Sequence, residues 1–153
     1  IFCEALSKVT VYLSKKMARD GEGATKLIEC NVTGASDEYT AQKISKSVIS
    51  SDLFKAAMFG ADANWGRVLC AIGYTEGDFA VDNIDVTMSS AKGSVTVCKA
   101  SEAAEYSEDK ATEILSEEEL VIDINMNQGE AAASAWGCDL TYDYVKINGS
   151  YRS

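Results

Sequence analysis

The chain has 153 residues and carries 24 acidic against 14 basic side chains, which gives a formal net charge of −10. This length supports one sizeable hydrophobic core, and the acidic balance argues against a nucleic-acid partner, because phosphate binding requires clustered Lys and Arg. No apolar stretch is long enough to cross a bilayer, so we expect no membrane partner. The sequence contains no histidine, so acid–base chemistry within the chain must use carboxylates, Lys, Tyr, Cys or an α-amine.

The first third of the chain predicts a helix, a strand and a second helix. Apolar residues recur at spacings of three and four on one face of the first helix: Phe2, Leu6, Val9, Leu13 and Met17. Such spacing is typical of an amphipathic helix, and Gly21 is the predicted end of this helix. Alternation over residues 26–32 predicts a strand. Ser36 or Asp37 can cap the next helix, which continues to about Ser50.

The middle of the chain predicts a further helix and a hairpin. The apolar run over residues 53–59 is of undetermined type, and the loop after it leads to a helix that begins near Trp65, with Asp62 or Asn64 as its cap. Alternation over residues 84–97, with Gly93 at the turn, predicts a β-hairpin.

The last third predicts a short acidic helix at residues 108–115 and a strand at residues 120–126. The chain then turns at Gln128 and Gly129, and residues 131–136 are predicted to return as a strand paired with the preceding one. Helices and strands mix without regular βαβ alternation, so the sequence predicts the α+β class, with helices layered on mixed or antiparallel sheets.

Five cysteines are spread widely along the chain and form no C-x-x-C pair: Cys3, Cys30, Cys70, Cys98 and Cys138. Their odd number and spacing indicate neither a disulfide framework nor a zinc site, and favour reduced, buried thiols in a cytoplasmic protein. A nucleophilic role for Cys138 is the alternative, although the chain offers no histidine base for it.

Three stretches could carry chemistry. In Asp20–Lys26, two glycines let the backbone approach a ligand and present Glu22, the alternative being a plain helix-to-strand turn. In Gly60–Arg67, the amides of a helix N-terminus could bind an anion, the alternative being an N-cap beside a packed tryptophan. Residues 135–148 combine aromatic, small and hydrogen-bonding residues, the alternative being a strand followed by a surface turn.

Taken in order, the segments DGEGATK, FGADANWGR and AWGCDLTYDYVKIN resemble the ornithine acetyltransferase / glutamate N-acetyltransferase family of arginine biosynthesis. The likeness covers essentially the whole chain. It implies a fold whose layout is related to the N-terminal-nucleophile hydrolases. It also implies a multifunctional acyltransferase whose precursor cleaves itself before a threonine. This threonine takes acetyl from N-acetylornithine and passes it to glutamate, which yields ornithine and N-acetylglutamate. Acetyl-CoA is a possible donor, and no cofactor is expected.

The resemblance also implies where this chain belongs in such a precursor. The chain begins with Ile1 rather than threonine, so we expect it to be the C-terminal part of the β piece, with no catalytic residue of its own. The expected partners are the upstream α and β pieces in an αβ hetero-oligomer, and the apolar first helix is expected to pack on them. Residues 1–36 would end the nucleophile-bearing domain. Residues 37–153 would form a C-terminal α+β domain whose tail, from about residue 131, returns to the active site.

The family's substrate-binding residues map onto Glu22, Asn148 and Ser153 of this sequence, and no metal ligand is expected. The family has threonine where this chain has Ser153, which keeps the hydroxyl and loses the methyl group. Two alternatives stay open at this point. One is an aminopeptidase-like amidohydrolase of the same architecture, and the other is a purely structural fragment.

Overall fold

The computed structural model describes residues 1–150 of the chain. The helices are α1 (Phe2–Arg19), α2 (Glu38–Ser50), α3 (Asp52–Phe59), α4 (Trp65–Gly73), α5 (Glu108–Leu115) and α6 (Tyr142–Ser150). The strands are β1 (Leu27–Ala35), β2 (Asp85–Ser90), β3 (Gly93–Lys99), β4 (Glu102–Ala103), β5 (Glu119–Asn125) and β6 (Ala131–Cys138).

The strands form one six-stranded sheet in the order β4-β3-β2-β5-β1-β6. β1 runs parallel to β5 and antiparallel to β6, and the other neighbouring pairs are antiparallel. The sheet is therefore mixed, and the predicted α+β class is confirmed.

β6 does not pair with the strand that precedes it, so that sequence prediction is wrong. β1 lies between β5 and β6, and Ala35 at its end is opposite Ala131. Gly129 passes so close to that end that a Cβ atom there would lie 2.3 Å from the Ala35 carbonyl oxygen. Because β1 is the parallel neighbour of β5, the chain that leaves β5 must cross the end of β1 before β6 can pair antiparallel on the far side of β1.

The hydrophobic core lies on one face of the sheet. That face carries alternate buried residues of the central strands: Ile28, Cys30, Val32, Val86, Met88, Leu120, Ile122 and Ile124. α2 packs over β1 and β6, and α5 packs over β2 and β3. The opposite face carries polar contacts across its three adjacent strands β5, β1 and β6: the Asn31 side-chain amide donates to Asp123 at 3.0 Å and its oxygen accepts from the Ser134 hydroxyl at 2.6 Å.

Side-chain caps set the starts of the helices α2, α3, α4 and α5 over this core. Asp37 accepts from the Thr40 amide at the start of α2, and Asn64 accepts from the Arg67 amide at the start of α4. Both caps were among the sequence candidates. The apolar run whose type the sequence leaves open forms α3, and Ser51 caps its start in the same way.

The predicted domain boundary after residue 36 falls between β1 and α2. β1 is hydrogen-bonded to β5 and β6, so both predicted segments contribute strands to one sheet. The division into residues 1–36 and 37–153 stays a prediction. Within residues 1–150, no helix combines the length and apolar character needed to cross a membrane.

The five cysteines are free thiols with different surroundings. Cys30 and Cys98 are buried, and Cys138 is half-buried. Cys3 and Cys70 are exposed, so the expectation of buried thiols is wrong for these two. Cys3 lies on α1, which buries no residue, and Cys70 lies on the outer side of α4.

The Cys30 thiol should make the fold sensitive to alkaline pH. Burial, assisted by the nearby Asp123 charge, raises the pKa of Cys30 from 9.0 to about 12. Between these values the unfolded chain releases the proton and the folded chain keeps it, so stability falls as pH rises from about 9 to about 12. Urea midpoints across this range should fall less steeply for Cys30→Val than for the wild-type protein. Equal falls of the urea midpoint in the two proteins would show that the Cys30 thiol is not the source of the alkaline sensitivity.

Candidate functional site

Two of the residues predicted to bind substrate lie in contact, although they are 126 positions apart in the sequence. Glu22 lies in the loop between α1 and β1, and Asn148 lies on α6. The Asn148 side-chain amide donates to a Glu22 carboxylate oxygen at 3.0 Å and to the Tyr144 carbonyl at 3.0 Å. Both side chains are exposed. Ser153, the third predicted residue, lies outside the described residues.

The loop that carries Glu22 packs directly on the first turn of α6. The Thr141 hydroxyl donates to the Gly23 carbonyl at 2.7 Å and accepts from the Tyr144 amide at 3.2 Å. Gly23 has φ +69°, and a Cβ atom there would lie 2.8 Å from the Tyr144 nitrogen. Only glycine therefore fits at this position, both for its backbone conformation and for its distance from the helix.

Asp139 holds the other end of the same loop. One of its carboxylate oxygens accepts from the Thr25 amide at 2.8 Å and from the Lys26 amide at 2.9 Å. The second oxygen accepts from the Thr25 hydroxyl at 2.5 Å. Asp139 is only 3% exposed. Hydrogen bonds to a buried carboxylate are among the strong ones, so they fix the point at which the loop enters β1.

Lys26 connects this loop to the ends of two helices. Its buried ammonium group donates to the Met58 carbonyl at 2.6 Å, near the end of α3, and to the Leu115 carbonyl at 2.7 Å, at the end of α5. The negative ends of both helix dipoles favour a cation there. Burial lowers the pKa of Lys26 below its ordinary value, and the Asp139 charge opposes that shift.

The second stretch, Gly60–Arg67, forms the capped start of α4. Asn64 serves as the cap of α4, as the structural alternative predicted. Just before this stretch, the Phe59 ring meets the Tyr142 ring edge-on, with 5.5 Å between centroids. Phe59, which directly precedes the second stretch, thus contacts the start of α6, where the loop of Glu22 also packs.

The arrangement presents a carboxylate and a carboxamide side by side at the surface. A carboxylate has several lone pairs, so Glu22 can accept from a bound ammonium group while it also holds Asn148. Within residues 1–150, no group of three His, Cys, Asp or Glu side chains is placed to bind a metal ion.

The sulfur atom of Cys138 packs against the loop that carries Glu22. A Cβ atom on Gly21 would lie 2.8 Å from this sulfur.

The sequence did not single out Thr25, Asp139 or Thr141, which attach the loop of Glu22 to the end of β6 and to the start of α6. Each lies inside a stretch of interest, but nothing local indicates that positions 114 or 118 residues apart are bonded. The cap signal at Thr141, a threonine before a helix, was available from the sequence.

The fold is an α+β fold of the layout related to the N-terminal-nucleophile hydrolases, and a solved structure shows the same architecture. It is the crystal structure of an arginine biosynthesis bifunctional protein, argJ, from Bacillus halodurans. The similarity has a TM-score of 0.91 at 46% identity and covers 98% of this chain and 69% of that chain. The family model described as "ArgJ family" matches residues 1–153. The chain belongs to the ArgJ family.

Curated relatives named arginine biosynthesis bifunctional protein ArgJ are similar over nearly the whole chain. A relative from Caldanaerobacter subterraneus subsp. tengcongensis is 50% identical over 153 residues, which cover 100% of this chain and 38% of the relative. A relative from Geobacillus kaustophilus is 50% identical over 152 residues, which cover 99% of this chain and 36% of the relative. The chain thus spans little more than a third of their length.

Proposed function

We propose that this chain supplies substrate-binding residues to an acetyltransferase that moves acetyl from N-acetylornithine to glutamate in arginine biosynthesis. The observation that carries the proposal is the contact between Glu22 and Asn148. The family resemblance alone selected both residues as substrate-binding. Membership of the ArgJ family and the names of the relatives support the pathway.

The proposed reaction is a ping-pong acyl transfer. A threonine hydroxyl outside this chain attacks the acetyl carbonyl, its proton passes to the leaving nitrogen, the C–N bond of N-acetylornithine breaks, and ornithine leaves. The glutamate amine then attacks the acyl-threonine ester and releases N-acetylglutamate. Glu22 accepts charge-assisted hydrogen bonds from the substrate ammonium group, and Asn148 both holds Glu22 and offers a neutral polar contact. These residues orient the substrate and form no covalent bond to it.

We also propose that the remaining polypeptide of an ArgJ-length protein covers α1. The apolar stripe of α1 is exposed, with Phe2 and Met17 each 78% exposed and Leu13 51% exposed. Lys15 lies two positions from Leu13 and Met17, on the opposite side of the helix. It pairs with Glu29 of the sheet at 2.5 Å. The apolar stripe therefore points away from the sheet, and an exposed patch of this kind is typical of an interface.

The test is acetyl transfer by the assembled protein, meaning this chain together with the remaining ArgJ-length polypeptide. Glu22→Ala should raise KM for N-acetylornithine about tenfold to a hundredfold, as expected for a lost charge-assisted hydrogen bond. The matched control is Glu130→Ala, an exposed glutamate at the opposite end of β6, which should leave KM and kcat unchanged. The chain by itself should transfer no acetyl.

Three outcomes would contradict the proposal. An assembled protein that transfers no acetyl would refute the function. Hydrolysis of N-acetylornithine without any rise in N-acetylglutamate on addition of glutamate would favour an amidohydrolase. An unchanged KM and kcat for Glu22→Ala would refute the binding role of that residue.

A further inference from the structure

We propose that the Thr141 hydroxyl is the positioning group that sets Glu22 and Asn148 at their working separation, an inference that rests on the proposed function. Thr141 lies between β6 and α6 and is 5% exposed. A hydroxyl has one hydrogen to donate and lone pairs to accept with. The Thr141 hydroxyl uses both, toward Gly23 and toward Tyr144.

These contacts close a ring of hydrogen bonds that contains both substrate-binding residues. From Gly23 the ring passes through the Thr141 hydroxyl to the Tyr144 amide. From the Tyr144 carbonyl it continues through the Asn148 side-chain amide to the Glu22 carboxylate. Glu22 precedes Gly23 in the chain, which completes the ring. Thr141 is the member whose side chain joins a backbone group of the loop to a backbone group of the helix.

The orientation of α6 depends on Thr141 because few other contacts hold this helix. No residue of α6 is buried, so a packed face does not fix the orientation of the helix. The cap at Thr141 and the edge-on contact of Tyr142 with Phe59 hold its first turn. Asn148 lies four positions after Tyr144, about one turn further along the helix. A small rotation of the first turn would therefore move Asn148 away from Glu22.

Asp139 does not replace this function. It bonds the Thr25 and Lys26 end of the loop and leaves the Gly23 carbonyl to Thr141. Loss of the Thr141 hydroxyl would keep the loop attached to β1 while its Glu22 end moves relative to α6. The expected defect is thus in substrate binding, with the fold retained.

The test compares Thr141→Val, which removes the hydroxyl and keeps the shape, with Thr141→Ser, which keeps the hydroxyl. In the assembled protein, Thr141→Val should raise KM for N-acetylornithine about tenfold, and Thr141→Ser should stay within about twofold of wild type. The valine substitution should add little in a Glu22→Ala background, because both changes remove the same contact. Additive effects, or equal losses for valine and serine, would overturn the proposal.

Hydrogen exchange separates this inference from the proposed function. In the assembled protein, Thr141→Val should speed amide exchange in residues 20–26 and 142–150, and Thr141→Ser should leave it unchanged. This readout decides the positioning role even if the wild-type protein transfers no acetyl, a result that would refute only the function. If Thr141→Val does not assemble, Thr141→Ala takes its place. Failure of both, with Thr141→Ser assembling, would assign Thr141 to folding and overturn the positioning role.

Discussion

Replacing Asp139 by alanine is expected to lower the free energy of unfolding by about 3–5 kcal/mol, the range for removing one partner of a buried charged network. The carboxylate is buried and accepts from two backbone amides and one hydroxyl of Thr25 and Lys26. Without it, the buried Lys26 amide has lost its acceptor, and the Lys26 ammonium group has lost a nearby negative charge. The first loss leaves a buried amide without a partner, and the second leaves the ammonium group with only its two carbonyl partners.

Urea denaturation of the assembled protein, followed by fluorescence of Trp65 and Trp136, measures this effect. Asp139→Asn keeps the shape and one acceptor oxygen, so its loss should be smaller than that of Asp139→Ala. Asp143→Ala removes an exposed carboxylate from the same segment. This substitution should lower the free energy of unfolding by less than about 1 kcal/mol, the usual size of a helix-dipole contribution. A similar loss for Asp139→Ala and Asp143→Ala would show that Asp139 does not anchor the loop.

Local signals in the sequence predicted most of the elements. The start of α2 follows from the periodicity of its apolar residues and from Asp37, whose side chain reaches an amide only three positions away. The hairpin of β2 and β3 follows in the same way from alternation around Gly93, where Ser90 and Gly93 are directly paired. These features depend on contacts between near neighbours, and near neighbours are visible in a single sequence.

Contacts between distant residues were not predicted in the same way. The insertion of β1 between β5 and β6 depends on which apolar strands pair best, and alternation alone does not encode partners. Glu22 and Asn148 were selected through family resemblance, since nothing in the residues themselves joins them. Asp139 and Thr141, which attach the loop of Glu22 to the end of β6 and to α6, became visible only with the fold, because their partners in that loop lie near the other end of the chain.

Replacing Gly23 by alanine is expected to destabilise the protein by about 2–4 kcal/mol, from left-handed backbone strain and from overpacking together. Gly23 has φ +69°, and the added Cβ atom would lie 2.8 Å from the Tyr144 nitrogen and 3.1 Å from the Asp143 carbonyl carbon. Both neighbours are backbone atoms of α6 and cannot turn aside as a flexible side chain would. The loop and α6 must therefore separate, which breaks the contact between Glu22 and Asn148.

The separation predicts two linked losses in the assembled protein, in the urea midpoint and in the binding of N-acetylornithine. Gly149→Ala is the matched control, because Gly149 follows Asn148 on the same helix and a Cβ atom there meets nothing within 4 Å. It should leave KM unchanged and, through higher helix propensity, raise stability by up to about 1 kcal/mol. A Gly23→Ala protein with wild-type stability and KM would show that the loop does not depend on its close approach to α6. The ring of hydrogen bonds through Thr141 would then have no role in placing Glu22.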